Sequence, residues 1–97
     1  MTKADIIREV SDMTGLTKIE VDAVLAGMII SIAESLKRGE RVDLRGFGSF
    51  LVKQRAARDA RNPATSEVVR LKERYIPAFK VSKILKEDVN KSLLKGL

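Results

Sequence analysis

The chain has no cysteine, no histidine and no tryptophan, only two prolines, and aromatic residues at 4% of its 97 positions. Without cysteine there is neither a disulfide framework nor a thiolate metal site. Without histidine the commonest general base and the commonest zinc ligand are both missing. No nucleophile can be paired with an imidazole base, so the sequence argues against an enzyme, with no catalytic residue, metal or cofactor expected. No apolar run is long enough to span a bilayer, and the N-terminus lacks the apolar segment of a secretory signal. A soluble, cytoplasmic protein without membrane association is the expectation.

What the chain does have is positive charge, unevenly placed. The net charge is +6, yet residues 1–52 carry −1, residues 53–75 carry +4 and residues 76–97 carry +3. The whole excess lies in the second half. Such asymmetry points to a polyanionic partner, nucleic acid before an anionic membrane surface. Length allows one domain, here 1–97, and a chain this small buries proportionately little surface. It needs a staple or a partner.

Two helices are expected in a helical region of about 1–40. Thr2 and Asp5 suit a helix start, Ile6, Ile7, Val10 and Met13 share a face, and Gly15 ends the element. Thr17-Lys18-Ile19-Glu20 has capping-box form, and Lys37-Arg38-Gly39 suits a C-terminus. Between them lie Val21, Val24, Leu25, Met28, Ile29, Ile32 and Leu36. That is too much apolar surface for one buried stripe. A central helix of a monomeric bundle and a homodimer interface both account for it; the lack of a third long helix favours the homodimer.

Arg41 to Arg45 alternates polar and apolar residues as a half-buried strand does. Gly46-Phe47-Gly48 suits a tight turn, and Ser49 to Val52 resumes the extended pattern. Residues 53–75 then read as a basic β-arm, two long strands joined near Asn62–Ser66. Tyr75 to Phe79 returns to the sheet, with Pro77 suggesting an edge. Ser82 can cap a short C-terminal helix of about 82–92, with Ile84, Leu85 and Val89 inward and Lys83, Lys86 and Lys91 outward. The element order is α-α-β-β-β-α. This is an α+β fold with a three-stranded antiparallel sheet and a long hairpin arm.

Arg61-Asn62-Pro63 lies at the tip of that arm. Its proline is either an ordinary turn residue or an apolar wedge, since a ring without an N–H can enter between base steps without stranding a donor. The cations Lys53, Arg55, Arg58, Arg61, Arg70, Lys72 and Arg74 exceed what solubility demands and favour phosphate contacts. Phe47, Phe50 and Phe79 alternate with apolar residues and glycine, which favours core packing over base stacking. Dispersed acids such as Asp5, Glu9, Asp12, Glu20 and Asp22 read as caps and solvated faces.

Gly46-Phe47-Gly48-Ser49-Phe50, Arg58, Arg61-Asn62-Pro63 with Thr65, and Pro77-Ala78-Phe79-Lys80 followed by Leu85-Lys86 together resemble the bacterial HU and integration host factor family of histone-like DNA-binding proteins. The match in order and spacing covers residues 1 to about 90. The resemblance implies an intertwined dimer whose two β-arms embrace double-stranded DNA through the minor groove. It makes Pro63 an intercalating residue at each arm tip and Asn62 part of the DNA-binding tip. It also makes Lys80, Lys83 and Lys86, and more weakly Lys3, contacts to the flanks of bent DNA. The dimer core it implies includes Val24, Leu25, Met28, Ile29, Ile32, Leu44, Phe47, Phe50 and Phe79.

The function implied is architectural: bending DNA and compacting or shaping the nucleoid. A sequence-selective subunit like integration host factor is the alternative, and Arg45 to Phe50 with Tyr75 lean that way. A heterodimer with a paralogous subunit stands beside the homodimer. RNA binding through Tyr75 and a basic interaction module are remoter readings. Three positions depart from the family pattern. Ser66 replaces a common glycine, Val81-Ser82 replaces a frequent Pro-Gly, and Lys91–Leu97 runs past the usual end.

Overall fold

A computed structural model describes residues 1–96. In chain order its elements are α1 (Lys3–Thr14), α2 (Lys18–Lys37), β1 (Val42–Leu44), β2 (Gly48–Arg55), β3 (Arg58–Arg61), β4 (Val68–Leu71), β5 (Arg74–Val81) and α3 (Lys83–Lys95). Three helices and antiparallel sheets make the fold α+β. The chain divides into two compact units, Met1–Glu34 and Ser35–Leu97.

In the first unit, α1 begins at a reciprocal capping box. The Asp5 backbone N–H donates to Thr2 Oγ1 at 3.3 Å, and the Thr2 backbone N–H donates to Asp5 Oδ2 at 2.8 Å. These Thr2 bonds, backbone first, hold the Asp5 carboxyl below the usual range, with Arg8 adding to the effect. The cap is therefore intact at neutral pH and weakens as pH falls through that depressed value. Gly15 closes the helix at φ +78°, the left-handed value that favours glycine. Thr17 Oγ1 caps the start of α2 by accepting from the Glu20 N–H at 3.1 Å. Ile7 and Val10 are half-buried, while Met13, expected on the same face, is 79% exposed.

In the second unit, the sheet order is β1-β2-β5. A turn from Leu44 to Phe47, with Gly46 at φ +85°, joins β1 to β2. Gly48 belongs to β2 rather than to the turn. A Cβ there would lie 2.5 Å from Phe79 Cζ and 2.6 Å from the Lys80 carbonyl oxygen. Phe79 lies 4.9 Å from Phe50 and 5.3 Å from Phe47, centroid to centroid, and Gly48 makes room for its ring. Gly48→Ala is expected to destabilise the protein by about 1–3 kcal/mol, because the Lys80 carbonyl cannot retreat without breaking the β2–β5 ladder. Thermal melting followed by circular dichroism checks this.

β5 is an edge strand, which is where Pro77 is tolerated. The hairpin beyond the sheet is interrupted: β2 and β5 end at the Arg55–Arg74 pair, and β3 and β4 resume at Arg58–Leu71. Each expected long strand is thus two strands. Two residues are lost from each side, Ala56-Ala57 and Lys72-Glu73, so the register does not slip. Alanine, lysine and glutamate are weak strand formers, and the pairing lapses where they cluster.

Ser82 ties α3 to the β1–β2 turn. Its hydroxyl donates to the Gly46 carbonyl at 2.8 Å and accepts from the Leu85 N–H at 3.1 Å. The helix continues to Lys95, past the expected end near residue 92. Of the C-terminal segment 91–97, Leu97 lies outside the described residues.

Candidate nucleic-acid interface

Strand register sorts the sheet into two faces, because directly opposed residues share a side. Val42, Leu44, Phe50, Val52, Phe79 and Val81 occupy one face. Asp43, Ser49, Lys53, Arg55, Arg74 and Lys80 occupy the other, with Leu51, Ile76 and Ala78 between them. Four expected cations, Lys53, Arg55, Arg74 and Lys80, therefore fall on one surface. Period-two alternation assembles it.

At one end of that face Asp43 accepts from Arg41 Nε at 2.8 Å and from the Ser49 hydroxyl. The Ser49 bond first, then Arg41, holds the Asp43 carboxyl below the usual range. These residues line a concavity of about 430 Å³ with Arg45, Lys80 and Lys83. Arg41 and Arg45 are not among the expected site residues. They flank β1 on either side of Asp43, and the alternation Arg41-Asp43-Arg45 is the available signal.

The arm tip is built by Asn62. Its N–H donates to the Glu67 carbonyl at 2.8 Å, and its carbonyl accepts from the Ser66 N–H at 2.7 Å. Its side-chain Oδ1 accepts from the Ala64 N–H at 2.9 Å, an Asx turn that spans Pro63. Asn62 thus shapes the loop, and Pro63 is exposed at its apex. Ser66 has φ +62°, the left-handed region, so it takes the conformation of a glycine without being one. That conformation costs a non-glycine residue about 1–2 kcal/mol.

The arm cations are not equivalent. Arg70 pairs across the strands with Asp59 at 3.1 Å, on the face that also carries Arg61. Arg58 alternates onto the opposite face of β3, and Lys72 lies in the unpaired gap. Lys83 and Lys86 are exposed on α3. Lys3 belongs to the other unit, where it pairs with Asp22 at 3.3 Å.

Of the nine apolar residues expected in a dimer core, Val24, Met28, Ile29, Phe47 and Phe79 are exposed in the single chain, and Leu25, Ile32, Leu44 and Phe50 are half-buried. Val24 is 67% exposed, Ile29 52% and Met28 46%, with Phe47 and Phe79 nearly as open. Among the described residues Val21 is the only buried apolar side chain. The accessible surface is 8220 Å². A compact monomer of this mass exposes about 5,500 Å².

The family model for bacterial DNA-binding proteins matches residues 1–90. The chain belongs to that family, which includes HU and integration host factor. DNA-binding protein HU of Clostridium pasteurianum is 42% identical over 91 residues, 94% of this chain and 100% of that protein. Integration host factor subunit beta of Marinobacter nauticus is 40% identical over 97 residues, 99% of each. The solved HU–DNA cocrystal structure from Anabaena superposes with a TM-score of 0.84 at 37% identity, covering 92% of this chain and 97% of that one. Ser66, which stands where the family pattern commonly has glycine, lies at φ +62°, in the left-handed region that favours glycine. Ser82 supplies a helix cap that a glycine lacks. No helix among the described residues is long and apolar enough to cross a membrane.

Proposed function

We propose that this chain is one subunit of an architectural dimer that binds duplex DNA in the minor groove and bends it. The observation that carries the reading is the arm: an exposed proline held at the apex of a hairpin, with Arg61 beside it and a basic sheet face at its root. The Anabaena HU relative was crystallised with DNA, so a chain of this fold can take that ligand. Affinity comes mainly from phosphates and bending from the two prolines that a dimer presents. The open face of α2 and the three phenylalanines are the dimer's contact surface, with Leu25, Ile32 and Leu44 completing it. In the cell, the protein is associated with the nucleoid.

Phosphate binding fixes the salt dependence: log K falls with log salt by about 0.9 per neutralised phosphate. Replacing Arg58 and Arg61 together with glutamine is expected to flatten that slope by about 1–2. Titrations of labelled duplex over a salt series measure it, and an unchanged slope places the contacts elsewhere. Footprinting on long DNA with competitor separates the two family modes. Discrete protected sites mark a selective, host-factor-like subunit, and diffuse protection marks an HU-like one.

A further inference from the structure

α3 continues to Lys95, beyond residue 90, where the family match ends. Leu85, Val89 and Leu93 recur every four residues, so they share one stripe of that helix. Leu85 is half-buried, but Val89 and Leu93 are exposed, so the helix outruns the packing that covers its start. Leu94 is exposed beside Leu93. Lys91 and Lys95 bracket the two leucines, and no acid lies between Val89 and Gly96. The last turn of α3 is thus apolar with a positive rim, and neither the arm nor the dimer face uses it.

The first unit carries the opposite kind of patch at the corner between α1 and α2. Met13, Leu16 and Ile19 follow at three-residue intervals through the Gly15 reversal, and all three are exposed. Ile19 is 84% exposed and Leu93 67%, at or above Val24, the most open residue of the expected dimer core. Around the corner stand Glu9, Asp12 and Glu20 against a single cation, Lys18. Glu20 accepts from the Thr17 hydroxyl as part of the cap. Glu9, Asp12, Lys91 and Lys95 have no ion-pair partner among the described residues.

The acids exclude DNA and an anionic membrane as occupants of the corner, since both are repelled by it. The surface that matches it is the last turn of α3, apolar against apolar and lysine against carboxylate. We propose that the α3 end of one copy seats on the α1–α2 corner of a copy in the neighbouring dimer, so that dimers lying along DNA touch one another. Such a contact rests on the DNA-binding dimer proposed above. Two unlike patches meet, so the contact is heterologous, and each row of dimers keeps a free corner and a free α3 end. Three apolar side chains against two fall well below the ~1,200 Å² of a stable interface. The contact is therefore weak between free dimers and takes effect where DNA holds copies side by side at high effective concentration.

The test uses the full chain and reads cooperativity, the gain in affinity beside an occupied site. A duplex long enough for several dimers is compared with one that holds a single dimer. The parent protein is expected to fill the long duplex cooperatively. Asp12→Lys, or Lys91→Glu combined with Lys95→Glu, is expected to reduce that cooperativity about tenfold, because like charges then meet in the contact. An equimolar mixture of the two variants is expected to recover it, since each reversed patch finds a reversed partner. Recovery also shows that both variants fold. No cooperativity in the parent, no loss in either variant, or no recovery in the mixture overturns the contact. A monomer mass for either variant in sedimentation places the two patches inside one dimer and overturns it as well. Failure of the parent to bind the single-dimer duplex sinks the functional reading itself.

Discussion

Replacing Pro63 with alanine is expected to remove most of the DNA bend while leaving low-salt affinity within about tenfold of the parent, ~1.4 kcal/mol. The two properties separate because different groups supply them. Affinity is a sum over many phosphate contacts and is insensitive to one uncharged ring. The bend requires an apolar group between base steps, at an unstacking cost of a few kcal/mol. Alanine keeps the Asn62-centred loop, since the bonds to Ala64, Ser66 and Glu67 do not involve the proline ring. It loses the rigid ring that the proposed wedge inserts and adds an N–H that needs a partner. Fluorescence transfer between dyes at the duplex ends reads the bend, and an equilibrium titration of the same duplex reads affinity. A bend loss no larger than that from an alanine on the far side of the molecule ends the wedge reading.

The second large effect concerns α2. Met28→Glu is expected to abolish dimerisation, the cooperative thermal transition and DNA binding together. In the single chain Met28 is 46% exposed, and a surface substitution of that kind normally changes stability by less than about 0.5 kcal/mol. In a dimer the same change buries two unpaired carboxylates, at several kcal/mol each. The chain has little with which to offset that, since Val21 alone among the described residues is a buried apolar side chain. Met28→Leu conserves volume and is expected to be close to neutral. Sedimentation equilibrium gives the mass and circular dichroism the melting. A Met28→Glu protein with unchanged mass and melting shows that this face is open in solution.

Much of this was legible in one dimension because it depends on local rules. Thr2, Asp5, Thr17 and Glu20 act within a single helical turn, so their spacing is their structure. Gly15, Gly39 and Gly46 mark reversals of the chain through their own backbone freedom. Alternation along Arg41–Arg45 and Ser49–Val52 marks these stretches as extended without reference to a partner strand. In the sequence Gly48 reads as half of a turn, but its reason is not local. A phenylalanine thirty-one residues later needs the space a Cβ would fill. The sequence puts Asn62 at the tip, but its use as the loop's internal acceptor appears only with the turn closed. The break at Ala56-Ala57 and Lys72-Glu73 has no strong sequence mark, since nothing there is proline or glycine.

By itself the sequence determined the element types, the caps, the basic arm and the position of its proline. It did so because helix periodicity, strand alternation and charge act over a few residues. Tertiary structure decided which cations of different strands share a surface. Cross-strand register gathers Lys53, Arg55, Arg74 and Lys80 and commits Arg70 to Asp59, while in the first unit Lys3 pairs with Asp22. It also decided that two arginines face each other where the arm leaves the sheet, because pairing partners nineteen residues apart are chosen by the folded ladder and not by neighbours in the chain.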